Sequence, residues 1–238
     1  MDLHDDILQV PKGQTVAIKL RSPALICLHG MCNTGKTFWA FDLIKYRNEV
    51  FSHKMEHVIF SYNTHQPIYD VMAKSVKNIT FIKGVPSEQY LRTFREKVTA
   101  DEHILLILDD QQASLDSEHM MKIATELNHH LNITTLLILH NIFGTGRYSR
   151  TILLQTSYFC SMKNLRDQQQ LSVLSRQIFG VGASGVINKC FDMLSELSER
   201  PYLLTDLHPQ GGLKGNQYRL RSFIWPGETM IAFKVKKP

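Results

Sequence analysis

β-Branched and aliphatic residues fall along this chain in short runs, and stretches with helical spacing separate the runs. Residues 24–28, 58–62, 79–82, 104–108 and 134–139 are five such runs, and each predicts a strand. Between them, residues 38–46 bring Phe38, Phe41, Leu43 and Ile44 near one helical face. Ser87 is placed to cap a helix on which Leu91, Phe94 and Val98 recur on one side, and residues 117–131 predict another helix. Beyond Gly146 come the apolar triplet 152–154, a short strand at 158–160, helices at 166–179 and 186–197, and strands at 202–205 and 218–220. The loop between the last two strands holds Pro209, Gly211, Gly212 and Gly215.

Strands that are apolar on both faces and alternate with helices belong to a mostly parallel sheet covered on both sides. The expected fold is therefore α/β, with a mostly parallel central sheet flanked by helices. The chain shows no internal repeat and no long linker, so residues 1–238 are expected to form a single domain. Within it, 1–22 is an N-terminal extension, 23–226 the core and 227–238 a basic C-terminal tail.

Composition narrows the class. No run approaches the roughly 20 apolar residues that a membrane helix needs, so no membrane partner is expected. The first six residues, Met1 to Asp6, are acidic and lack the features of a secretory leader, which points to an intracellular protein. Cys27, Cys32, Cys160 and Cys190 form no C-x-x-C pair, so neither a disulfide framework nor a zinc site is expected. Cys27, inside an apolar run, reads as a buried small hydrophobe, and Cys32 as an exposed thiol. A net charge of +5 is a mild pointer to a polyanionic partner, and the basic end with Lys234, Lys236 and Lys237 reads as a solvated tail in preference to a phosphate-contacting arm.

The chemistry is concentrated in two motifs. Gly30, Met31, Cys32, Asn33, Thr34, Gly35, Lys36 and Thr37 match G-x-x-x-x-G-K-[ST] in full, directly after a strand and directly before a helix. In that context the glycines let backbone N–H groups converge on phosphate, and the helix adds the positive end of its dipole. Lys36 supplies a charge for the β- and γ-phosphates, and the Thr37 hydroxyl can ligate Mg2+. Asp109 and Asp110 end the apolar run 104–108, the form of a Walker B strand. Asp109 is placed to hold Mg2+, and Asp110 to orient or deprotonate a water that attacks ATP. A strand-like segment lies between the two motifs, as in the additional-strand branch of P-loop folds, where the next strand tip carries a polar sensor. Here that tip is His140 and Asn141, and spacing does not choose between them. Arg147, Arg150, Arg166 and Arg176 follow the sensor strand and are candidates for an arginine that neutralises charge in the transition state.

Together with these motifs, the later segments give the chain a family resemblance from about residue 23 to 226. They are Ser149-Arg150-Thr151-Ile152, Met162-Lys163-Asn164-Leu165-Arg166-Asp167, Leu174-Ser175-Arg176-Gln177, Arg200-Pro201-Tyr202-Leu203-Leu204-Thr205-Asp206-Leu207 and Arg219-Leu220-Arg221. The chain resembles the viral DNA-packaging ATPases of the HerA/FtsK superfamily, in the form found in Polinton/Maverick elements and adintoviruses, with poxvirus and adenovirus packaging ATPases more distant. Two positions depart from the pattern: His140 stands where relatives commonly have Gln, and Leu165 where they commonly have Pro. A His at the sensor tip still donates a hydrogen bond but makes it depend on protonation.

The resemblance implies a RecA/HerA-like P-loop ATPase with ATP and Mg2+ as cofactors. It implies a homo-oligomeric ring, hexamer or pentamer, that threads double-stranded DNA into a capsid without regard to sequence. An arginine, of which Arg150 is the leading candidate, would complete the neighbouring subunit's site. The capsid or portal is a further implied partner, and the implied location is the host cell, at the nucleus or viral assembly site, or the virion. Two other readings stand beside this one: a P-loop kinase for a nucleotide or small molecule, and a non-catalytic nucleotide-binding interaction protein.

Overall fold

The runs predicted as strands at 24–28, 104–108 and 134–139 are buried along their whole length in the computed structural model, and that at 79–82 is half-buried. The structure describes residues 7–10, 19–143, 146–163, 168–211 and 218–234. In chain order the elements are β1 (Ile7–Val10), β2 (Leu25–His29), α1 (Lys36–Lys45), α2 (Arg47–Val50), β3 (His57–Tyr62), α3 (Pro67–Ser75), β4 (Ile79–Lys83), α4 (Glu88–Arg95) and β5 (Ile104–Asp109). Next, α5 (Glu118–Lys122) passes through a π turn at Ile123–Leu127 into α6 (Asn128–His130), and β6 (Ile133–Leu139) follows. The chain continues with α7 (Arg147–Leu154), β7 (Tyr158–Met162), α8 (Gln168–Phe179), α9 (Val186–Leu197), β8 (Tyr202–Asp206), β9 (Tyr218–Ser222) and β10 (Met230–Lys234).

These strands share one sheet in the order β1-β10-β9-β8-β7-β2-β6-β5-β3-β4. The six from β7 to β4 are parallel, and β8, β9, β10 and β1 extend the sheet antiparallel from β7. The expected mostly parallel sheet flanked by helices is present, with an antiparallel wing.

Alternation of side chains along a strand sends neighbours to opposite faces, and here both faces are dry. Leu25, Cys27, Leu106, Leu108, Leu137 and Leu139 pack on one side with helix residues such as Leu91, Leu127, Leu174 and Phe191. Ile26, Leu28, Leu105, Ile107, Leu136 and Ile138 pack on the other with Trp39, Leu43, Ile44, Tyr69 and Met72. Burying each such Leu or Ile is worth about 1.5–3 kcal/mol, which makes β2, β5 and β6 the rigid centre of the chain.

Two expected boundaries need correction. Residues 230–234 are a buried sheet strand, not a solvated tail, because Met230, Ile231, Ala232 and Phe233 give β10 an apolar side to pack. Residues 235–238 lie outside the described set. At the other end, Ile7–Val10 pairs antiparallel with β10, and Leu20 is buried and bridges to Phe51, so parts of the expected extension are built into the sheet and core. The helix expected at 166–179 is described from Gln168 onward.

The antiparallel wing carries a buried ion pair. Arg221 of β9 donates to the Asp206 carboxylate of β8, and both side chains are shielded from solvent. A Cβ at Gly211 would collide with that carboxylate, so the turn after β8 closes directly over the pair. Removing one member leaves the other charge buried without its partner. Asp206→Ala is expected to lower unfolding free energy by about 3–5 kcal/mol, read from the shift in the urea midpoint.

Candidate nucleotide site

The ends of β2, β5 and β6 lie on one rim of the sheet. In register, His29 pairs with Leu139 and Asp109 with Ile138. Strand β6 lies between β2 and β5, so an extra strand separates the two motif strands. The chain then turns at this rim after each strand, which places residues 30–37, 109–112 and 140–141 around one opening. In open α/β sheets this rim, at the carboxyl ends of the strands, is where ligands bind.

Residues 30–37 wrap into a loop ahead of α1. Asn33 and Gly35 take left-handed backbone, with φ of 64° and 98°, which turns successive amides toward one concave side. Gly30 is small for a different reason. A Cβ there would lie 2.7 Å from the Met162 Cβ of β7, so the loop sits directly on the neighbouring strand. The Thr34 hydroxyl donates to the Met31 carbonyl over 2.9 Å.

Lys36 is buried, and its Nζ donates to the carbonyls of Gly30 (2.8 Å) and Met31 (2.7 Å) and, at 3.4 Å, to His140 Nδ1. Burial lowers the Lys36 pKa, while Cys32, Asp109 and Asp110 pull it back up. The Cys32 thiol is exposed, 3.8 Å from the same His140 nitrogen, whereas Cys27 is buried, both as expected.

Asp109 is buried at the end of β5 and accepts a 2.9 Å hydrogen bond from the Tyr69 hydroxyl of α3. Burial raises its pKa, and the Tyr69 hydrogen bond opposes that rise. Asp110 is exposed with a left-handed φ of 57°, and its carbonyl accepts from Asn63 Nδ2 at the end of β3. The sharp turn separates two adjacent carboxylates into different settings, one buried and anchored, the other open to the cavity.

Lys36, Thr37, Asp109, Asp110 and His140 all line one cavity of about 560 Å3, a size suited to a small ligand. Cys32, Asn33 and Gly35 line it as well. Asn141 does not: its Oδ1 accepts from the Phe143 amide at 2.8 Å, which ties the side chain to its own turn. Gln112 sits behind the tip, accepting from the His140 amide (3.2 Å) and donating to the Asn141 carbonyl (3.4 Å).

Among the described residues no group of three His, Cys, Asp or Glu side chains could hold a metal alone. The oxygen donors gathered here are the Asp109 and Asp110 carboxylates and the Thr37 hydroxyl. That set fits Mg2+, which binds through few protein groups and fills its other positions with phosphate oxygens and water.

The expected arginines lie elsewhere. Arg150, exposed on α7, lines a separate apolar cavity of about 580 Å3 with Ile142, Phe143, Leu153 and Leu154. Arg147 on the same helix and Arg176 on α8 are also exposed, and Arg166 lies outside the described residues. The N-terminus of α7 is held by Asp116, whose Oδ1 accepts from the Tyr148 (2.8 Å) and Ser149 (2.9 Å) amides. Asp116 follows Asp110 by six residues, so α7 is tied to the segment that leaves β5.

Two residues not expected in the site, Tyr69 behind Asp109 and Arg200 at the opening, complete it. Tyr69 comes from a helix hidden behind a Pro that reads as a turn. Arg200, just before β8, lies over the Phe38 ring with its guanidinium carbon 5.7 Å from the centroid and lines the same cavity.

No protein-family model and no curated protein matches this sequence. Solved structures do. The DNA-packaging ATPase B204 from Sulfolobus Turreted Icosahedral Virus is 12% identical, with 79% of this chain and 94% of that chain covered at a TM-score of 0.52. The genome packaging NTPase B204 from Sulfolobus turreted icosahedral virus 2, solved with AMP, is 13% identical, covering 77% and 92% at 0.47. A KaiC-like protein from Pyrococcus horikoshii is 18% identical, covering 61% and 75% at 0.39. The first of these shows a shared fold. No helix among the described residues is long and apolar enough to cross a membrane.

His29, the last residue of β2, generates a pH dependence. It is buried, its Nε2 is 2.6 Å from Ser161 Oγ, and burial with Lys36 nearby lowers its pKa to about 4. His103, stacked on His53 at the opposite rim, is lowered to about 4 as well, mainly by burial. Each stays neutral in the native chain while the unfolded chain takes up a proton near pH 6.5. Stability is therefore kept above that pH and lost as pH falls toward 4, by about 3 kcal/mol for His29. Urea midpoints at pH 7.5 and 5.0 should show this loss, and His29→Gln, which cannot be protonated, should show less of it.

Proposed function

We propose that this chain hydrolyses ATP and uses the energy to move double-stranded DNA, in the manner of a viral genome-packaging motor. The observation that carries the reading is the gathering of Lys36, Thr37, Asp109 and Asp110 around one cavity, with the two carboxylates in different environments. The fold shared with a DNA-packaging ATPase supports the same direction. The residues 1–238 are taken as one ATPase domain.

In this reading the amides of residues 30–37 and the Lys36 ammonium bind the phosphates. Lys36 gives up its contacts to the Gly30 and Met31 carbonyls for contacts to phosphate oxygens. Thr37 and Asp109 hold Mg2+, which when bound neutralises phosphate charge. Tyr69 fixes the orientation of the Asp109 carboxylate. Asp110, open to the cavity, orients the attacking water and accepts its proton. His140 faces Lys36 and takes the sensor role, and Asn141 shapes the turn that presents it.

Arg150 is exposed and outside its own chain's phosphate cavity, which suits an arginine that acts on a neighbour. A ring of five or six copies would place one such residue at each boundary. DNA grip through phosphate contacts suits a net charge of +5 and needs no sequence preference. A capsid or portal protein would receive the threaded DNA.

ATP turnover measured with and without duplex DNA tests the reading. Wild type should be stimulated by DNA of any sequence, with stimulation falling as salt rises. Lys36→Ala should lose turnover and bind ATP more weakly. Asp110→Asn should retain ATP binding and lose turnover by about 100-fold or more, since a side-chain base is worth about 10²–10⁴. Asn tolerates the left-handed backbone at 110, so that loss would be chemical rather than structural. Hydrolysis indifferent to DNA from a strictly monomeric chain would sink the motor, and phosphoryl transfer to a nucleoside monophosphate would put a kinase in its place.

A further inference from the structure

Phe38 is the third residue of α1, and its ring is 57% exposed although the next residue, Trp39, is fully packed. The Arg200 guanidinium covers that ring across 5.7 Å. Both residues line the cavity that also holds Lys36 and Thr37. Arg200 reaches this place from the far end of the chain, with its Cδ 3.6 Å from where a Cβ on Gly35 would lie. Among the described residues no carboxylate pairs with it. An exposed aromatic ring under a cation, beside the residues that would hold phosphate, offers a flat group a face to stack on.

Position along α1 says which part of the ligand belongs there. The loop amides and the first helical residues bind phosphate, so the portion of a nucleotide beyond its phosphates leaves the cavity past the first turn of the helix. Gly35 and Phe38 are three residues apart and share that turn's face. The Arg200 guanidinium carbon stands 5.7 Å from the Phe38 centroid, a cation–π contact, and a flat ring inserted between them needs roughly 7 Å, at about 3.5 Å per layer. Rotation of the exposed arginine side chain supplies the difference.

We propose that Phe38 and Arg200 form a clamp for the nucleobase, with the ring as platform and the guanidinium as cover. This rests on the nucleotide reading of the cavity and adds residues to it. A base has a π-face whatever its identity, so such a clamp gives affinity with little selection between purines.

Calorimetric titration of the full chain with ATP and with inorganic tripolyphosphate separates base from phosphate contributions. Phe38→Ala should weaken ATP binding by about 10-fold and leave tripolyphosphate binding within about twofold. Phe38→Trp should keep ATP affinity, and Arg200→Ala should reduce it. Because Phe38 and Arg200 are both exposed, neither substitution threatens the core. Unchanged ATP affinity in Phe38→Ala, or an equal loss for ATP and tripolyphosphate, would overturn the clamp while leaving the phosphate site standing. A wild-type chain that binds neither probe would overturn the nucleotide reading and the clamp with it.

Discussion

A parallel strand covered on both faces can carry polar side chains only at its ends, and this constraint organises the whole molecule. Strands β2, β5 and β6 satisfy their backbone groups within the sheet and present mainly apolar side chains above and below, with Thr134 and Thr135 near the start of β6. Charge therefore appears where the runs stop: Asp109 and Asp110 after β5, His140 after β6, Lys36 after the turn that follows β2. The registers bring these stops to one rim, so a single cavity collects them without any long-range design beyond the pairing of strands.

That constraint also explains what the sequence made legible. Apolar runs announce β2 and β5, a β-branched and aliphatic run announces β6, and a glycine-flanked loop after β2 and an acidic pair at the end of β5 announce the site. The same logic fails where burial is one-sided or short. Residues 230–234 offer four apolar positions beside a basic end and read as a tail, yet β9 and β1 give them two partners. Pro67 reads as the close of a turn, although Pro at the first position of a helix is favourable, and so α3 and Tyr69 stay hidden. The triplet 152–154 does not reveal α7, because much of what defines that helix is the distant carboxylate of Asp116. Arg200 is separated from Phe38 by most of the chain, and only the placement of β8 two strands from β2 brings them together.

The cavity holds its charges at a cost that its geometry limits. Lys36 and Asp109 are both buried, and burial disfavours the charged form of each. Loop carbonyls take the lysine, and a tyrosine hydroxyl takes the carboxylate, so neither is left without a partner.

The seating of Gly30 on Met162 separates two kinds of constraint that descendants of this sequence would feel. Any side chain at 30 forces β7 away from β2, so that glycine is required for the fold itself. Asp110 and His140 are exposed, and the turn at 110 accepts Asn or Gly as readily as Asp. In a lineage where the chemistry no longer mattered, drift would erase these two positions first and leave the glycine in place. Retention of the glycine alone would mark an inherited scaffold, whereas retention of all three would record continuing selection for the reaction.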